Sequence, residues 1–156
     1  MKSVMEMYFA YGSNLDLKQV RQRCGGKDVK KISIGYLPNH RLAFTQYYAE
    51  WGGGVADVVK SPGDTVWGIL YELSNHALEL LDTFEGYPYD YTRTKHTIIN
   101  PEGNGLEAWV YLVKRKDGDF IPPSNKYLEI IKRTAKEAGF PKDYIAYLNT
   151  IKKADQ

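Results

Sequence analysis

Residues 65–73 read Thr-Val-Trp-Gly-Ile-Leu-Tyr-Glu-Leu. This near-continuous apolar run predicts a strand at the centre of a sheet. Just before it, Ser61-Pro62-Gly63-Asp64 is a strong turn signal. Three more strand-like stretches lie upstream, Ile32–Leu37, His40–Tyr48 and Gly53–Val59, the first two parted by the turn pair Pro38-Asn39. Within His40–Tyr48, Leu42, Phe44 and Gln46 alternate onto one face. At the N-terminal end, Met5–Gly12 (MEMYFAYG) predicts a buried strand running into a tight glycine turn. Downstream, Tyr89–Ile99 and Leu106–Lys114 read as a strand pair around Asn100–Gly105.

Helices fall between these stretches. Ser13, Asn14 and Asp16 are N-cap residues, so the first helix is expected from there to about Cys24, stopped by Gly25-Gly26. Ser74 caps a second, whose Ala77, Leu78, Leu81 and Phe84 recur at helical spacing and which ends at Glu85-Gly86-Tyr87-Pro88. A third follows Pro122-Pro123-Ser124, with Tyr127, Ile130, Ile131 and Ala135 on one face, and Gly139-Phe140-Pro141 breaks it. A last one is expected over Lys142–Ile151. About six strands and four short helices, not in βαβ alternation, define an α+β fold with a mostly antiparallel sheet or small barrel. No repeat or linker divides residues 1–156, so a single domain is expected.

Composition narrows the function. The 156 residues carry 21 Lys plus Arg against 19 Asp plus Glu. A net charge of +2 gives no basic stripe for nucleic acid, and Lys152-Lys153 reads as a solvated helix end. No apolar run reaches the ~18 residues of a membrane span. The N-terminus lacks a leader's apolar core and cleavage site, so it reads as mature protein. A single cysteine, Cys24, excludes an internal disulfide; it fits a reducing, cytoplasmic compartment and a structural thiol at a helix end. His40, His76 and His96 are scattered without metal-ligand spacing, so no metal is expected. Gly52-Gly53-Gly54 precedes a strand and lacks the setting of a phosphate loop. Without a GxSxG elbow, Ser13 is not a hydrolase nucleophile. The 13 tyrosines suit half-buried strands and the lining of a polar pocket.

Two constellations could carry chemistry. In Tyr8-Phe9-Ala10-Tyr11-Gly12-Ser13-Asn14 a strand delivers a glycine turn to a helix start, where backbone N–H groups can hold a carboxylate or a developing oxyanion. The alternative is an ordinary turn with a helix cap. The second is Glu85. A helix C-terminus, Asp82 one turn back, and the apolar run around it would all raise its pKa toward the range of a general base. The alternative is a solvated helix-end carboxylate.

Together these residues resemble the γ-glutamylcyclotransferases. The resemblance runs through Tyr8–Leu15 with its YGSN signature, Gly53-Gly54-Val55-Ala56, Ser61–Asp64, Val66-Trp67-Gly68, Leu81–Gly86, Pro122–Tyr127 and Lys136–Gly139, in that order from about Met7 to Ile151. It implies a small mixed, mostly antiparallel, β-barrel-like sheet with peripheral helices. It implies a cofactor-independent enzyme of lyase or acyltransferase type, with a place in glutathione metabolism, whose substrate is a small γ-glutamyl compound. That compound is converted to 5-oxoproline and the free amine. Carried over, Glu85 is the catalytic acid/base. Tyr8, Phe9, Ala10, Tyr11, Gly12, Ser13, Asn14 and Tyr127 bind substrate. Neither nucleic acid nor membrane is an expected partner, and a homodimer stays open. After Glu85-Gly86 the chain reads Tyr87-Pro88-Tyr89-Asp90-Tyr91, as in relatives acting on other γ-glutamyl amines, so this aromatic loop is expected to border the leaving amine. Two alternatives remain beside the main reading: removal of a γ-glutamyl protecting group from a biosynthetic, antibiotic-type intermediate, and a binding module without turnover. A structural protein with an aromatic surface would leave the turn and the Glu-Gly step unexplained.

Overall fold

The computed structural model describes residues 4–26 and 28–155; the start of the expected mature N-terminus, residues 1–3, lies outside them. Five strands form a closed barrel: β1 (Met5–Ala10), β2 (Val29–Tyr48), β3 (Gly53–Ser74), β4 (Tyr91–Ile99) and β5 (Gly105–Val113), in the order β1-β3-β2-β4-β5. Every pairing is antiparallel except β5 with β1, which meet in parallel at Tyr8 and Trp109. The quoted run 65–73 is central as expected, pairing with β1 on one side and β2 on the other.

The strand count differs from the expectation because two turn signals do not reverse the chain. Ile32–Leu37 and His40–Tyr48 are one strand, as are Gly53–Val59 and Thr65–Leu73. Pro38 pairs with Thr65 and His40 with Lys60, so residues 61–64 bulge out opposite Asn39 alone. Asn39 at φ 59° and Gly63 at φ 87° supply the left-handed backbone. The Gly63 N–H donates to the Asn39 side chain at 3.1 Å, and the Ser61 hydroxyl to Asp64. The residues that close a hairpin elsewhere here close a wide bulge.

Four helices surround the barrel: α1 (Leu17–Arg23), α2 (Asn75–Glu85), α3 (Asn125–Ala138) and α4 (Lys142–Leu148). Ser74 and Ser124 cap α2 and α3 by accepting from the N–H groups of Ala77 and Tyr127. Gly86 and Gly139 end them in the left-handed conformation. Leu81 of α2 and Leu128, Ile131 and Ala135 of α3 are fully buried in the core with Phe9, Leu70 and Leu73. The last helix stops at Leu148, short of Ile151, so Lys152-Lys153 lies beyond it.

The first helix starts later than expected. Ser13–Leu15 is a 3-10 turn, and Asp16 is the cap of α1, its carboxylate accepting from the Lys18 N–H at 3.2 Å. Ser13 and Asn14 are thereby released from capping. Cys24 stands at the end of α1 as expected; it is buried, and burial pushes its thiol up to about 11.

Candidate active site

A pocket opens at one end of the barrel between the Gly12–Asn14 turn and the C-terminus of α2. Tyr8, Tyr11, Gly12, Ser13, Asn14, Glu85 and Tyr127, all expected from sequence, line it. Phe9 and Ala10 do not: both are fully buried behind it, where the Phe9 ring and Ala10 carbonyl close over Gly68. Phe9 falls on the opposite strand face from Tyr8. Gly68 has no side chain because a Cβ there would lie 2.2 Å from that carbonyl.

The turn and the helix end meet through Asn14. Its Nδ2 donates to the Tyr8 hydroxyl at 2.9 Å and to Glu85 Oε1 at 3.3 Å. Glu85 is half-buried and lines the pocket. Burial is the main reason its pKa rises from 4.5 to about 7; Arg23 and the Asn14 hydrogen bond oppose the rise, and Asp82 adds a little to it. Asp82 contributes less than expected because it is spent elsewhere. It takes a bidentate pair from Arg93 at 2.8 and 3.0 Å and a bond from the Tyr111 hydroxyl at 2.6 Å.

Tyr127 reaches the pocket from α3. Its hydroxyl accepts from the Ala56 N–H at 2.9 Å, and its ring meets Trp51 edge-on at 5.0 Å. Two glycines make this delivery possible. The chain at 121–124 crosses directly over Gly53 and Gly54, whose Cβ atoms would lie 2.7 Å from the Pro122 carbonyl and 1.9 Å from the Ile121 carbonyl. The Gly54 N–H donates to the Pro122 carbonyl at 2.9 Å. At Gly12 a Cβ would meet the Tyr127 hydroxyl at 3.1 Å and the Ala56 methyl at 3.0 Å. Gly12→Val is expected to push that hydroxyl aside and lower kcat/KM by about a hundredfold; steady-state kinetics beside a thermal melt checks it.

Several lining residues carried no sequence signal: Arg23, Tyr48, Glu50, Trp51 and Tyr111. Six of the 13 tyrosines line the pocket, so strand propensity alone does not account for them. Tyr11 donates to the Tyr111 carbonyl at 2.6 Å and Tyr91 to the Ala56 carbonyl at 2.7 Å. Burial raises the pKa of Tyr8, Tyr11, Tyr91 and Tyr111, and of Tyr127 to about 12. These phenols are neutral at physiological pH, whereas the Glu85 carboxyl titrates there. Of the aromatic loop after Gly86, Tyr91 lines the pocket; Tyr87 and Tyr89 are exposed outside it, Tyr87 under the Arg93 guanidinium. Phe84, expected on the packed face of α2, is half exposed and covered by Arg23 at 4.1 Å.

Behind the wall, Asp57 is fully buried and clips β3 to the end of β5. It accepts from the Thr45 hydroxyl at 2.8 Å, the Val113 N–H at 3.0 Å and Lys116 Nζ at 2.9 Å. No group of three or more His, Cys, Asp or Glu able to hold a metal ion occurs among the described residues.

A closed barrel with a tyrosine-walled pocket and one half-buried glutamate is the architecture of an acid/base enzyme for a small ligand. The gamma-glutamyl cyclotransferase, AIG2-like family matches residues 8–129, and the chain belongs to that family. It is 32% identical over 154 residues to the gamma-glutamylcyclotransferase of Bos taurus and 31% to that of Homo sapiens. Each alignment covers 96% of this chain and 80% of the relative. A solved gamma-glutamyl cyclotransferase structure superposes with a TM-score of 0.90 at 30% identity, covering 98% of this chain and 91% of that one.

Proposed function

We propose that this chain is a γ-glutamylcyclotransferase, working as one domain in the cytoplasm, that turns a small γ-glutamyl amide into 5-oxoproline and the free amine. The observation that carries the reading is a half-buried carboxyl in the pocket, hydrogen-bonded to Asn14 of the glycine turn and raised by burial to a pKa of about 7. An α-amine has a pKa of ~7.7–8.0 and attacks only when deprotonated. Glu85 takes its proton as the amine nitrogen bonds to the substrate's own side-chain carbonyl carbon, closing a five-membered ring. The carbonyl oxygen becomes an oxyanion. The N–H groups of Gly12 and Ser13 start the 3-10 turn and have no partner inside it, the Ser13 backbone meeting the Tyr127 hydroxyl instead; in this reading they receive that charge. Glu85 then returns the proton to the leaving nitrogen as the C–N bond breaks. Tyrosine walls hold the extended substrate folded for attack.

The test is a panel of γ-glutamyl amides, γ-glutamyl-alanine first, assayed for 5-oxoproline and released amine. Equal yields of the two products are expected. Binding without turnover across the panel would make the pocket a ligand-binding module instead.

A further inference from the structure

Arg23 belongs to no motif, yet it is the cation that lines the pocket. Its Nη1 donates to Asn14 Oδ1 at 2.6 Å and to Ser13 Oγ at 2.9 Å, and its guanidinium lies 4.1 Å above the ring of Phe84, the residue before Glu85. An asparagine amide has an accepting end and a donating end, whereas a guanidinium only donates. Arg23 therefore forces Oδ1 of Asn14 toward itself and turns Nδ2 toward Tyr8 and Glu85. With the amide reversed, its oxygen would face the carboxylate of Glu85 and repel it. Arg21 shares the last turn of α1 and answers the helix dipole equally well, but it is exposed. The dipole does not account for a half-buried arginine with two side-chain acceptors and an aromatic seat.

We infer that Arg23 is a positioning residue for Glu85: it sets the orientation of the Asn14 amide and supplies the positive charge that favours the ionised carboxyl. The inference rests on the catalytic reading of Glu85 above. Other groups around that carboxyl do not substitute for it. Asp82, on the same helix, is paired with Arg93. The phenols of Tyr8 and Tyr11 on β1, Tyr48 on β2, Tyr91 on β4, Tyr111 on β5 and Tyr127 on α3 are neutral, as is the Cys24 thiol. Glu50 at the mouth has the same sign as Glu85.

The measurement is a carbon-13 NMR titration of the Glu85 carboxyl, assigned by its loss in Glu85→Gln, in the parent chain and in Arg23→Gln and Arg23→Lys. In Arg23→Gln the midpoint is expected to rise by about one pH unit, and the acidic limb of kcat/KM to move with it. Arg23→Lys keeps the charge, so its midpoint stays within about half a unit of the parent. A lysine has no planar fork, so kcat still falls, by at least about tenfold. An unmoved midpoint in folded Arg23→Gln overturns the inference, and so does full kcat in Arg23→Lys, which carries the test alone should Arg23→Gln not fold. The titration needs no substrate. A parent chain that makes no 5-oxoproline refutes the proposed function, whereas an unmoved midpoint refutes the role of Arg23 alone.

Discussion

Glu85→Gln is expected to lower kcat for 5-oxoproline release by about 10²–10⁴-fold, toward the upper end because one carboxyl serves both proton transfers. The amide keeps the shape and can still accept from Asn14, so ligand affinity is expected to persist. Stability should move the opposite way. The folded pKa of Glu85 is raised above its unfolded value, to about 7 from 4.5. The folded chain therefore binds more protons than the unfolded chain in that window, and stability declines as pH climbs through it. The neutral glutamine escapes that decline, so at pH 8 the variant is expected to be more stable than the parent by about 1–3 kcal/mol. Below pH 4 the two should converge. Activity of the parent runs in the reverse sense: kcat/KM rises through about pH 7 as the carboxyl ionises. Urea melts and rate profiles over pH 4–9 test both signs together. A variant no more stable than the parent at pH 8 would mean that the carboxyl is solvated.

The second large effect falls on a residue that does not line the pocket but precedes two that do. Gly54→Ala places a Cβ 1.9 Å from the Ile121 carbonyl oxygen and 2.8 Å from its carbon, both backbone atoms. No rotamer change relieves that clash; the crossing segment must lift, taking its bond to the Gly54 N–H and the start of α3 with it. A loss of about 3 kcal/mol is expected, lowering the unfolding midpoint by about 6–12 °C. Gly118→Ala is the contrast. Its Cβ would meet the mobile tip of the same residue, Ile121 Cδ1, at 3.3 Å, and should cost less than about 1 kcal/mol. Equal midpoints for the two variants would show that the crossing can yield.

Local signals were legible wherever their partners lie within a few residues. The serine caps at 74 and 124 and the left-handed glycines at 86 and 139 bound α2 and α3 as expected. Start and stop chemistry failed where several candidates adjoined: Ser13, Asn14 and Asp16 can all cap, and only the 3-10 turn decides for Asp16. Bulges hid for a related reason, since Ser-Pro-Gly-Asp suits a hairpin and a four-residue excursion alike, and register is set by β2 across the sheet. In the site, the glycine turn and Glu85 could be found because each is a short run with odd placement. Arg23, the Tyr48–Trp51 turn and Tyr111 come from three separate places in the chain, and only barrel closure brings them together. Arg23 looked like any cation at a helix end, and nothing in its neighbours reports that it faces Asn14 nine residues earlier.

The parallel rung between Tyr8 and Trp109 leaves the cylinder unevenly fastened. The ladder between β2 and β3 spans nearly their whole lengths, whereas β1 and β5 share one pair of residues. Thermal fluctuations part a structure where the fewest bonds must break together, so breathing concentrates along this joint and along the equally short one between β2 and β4, which pair only at Tyr36 and Ile99. Tyr8 sits on one lip and Tyr111 on the other, their rings 5.7 Å apart. Widening the joint enlarges the cavity while the long ladder stays intact. A molecule seated against both rings would hold the lips together, so occupancy tightens the barrel at one of its two single-rung joints.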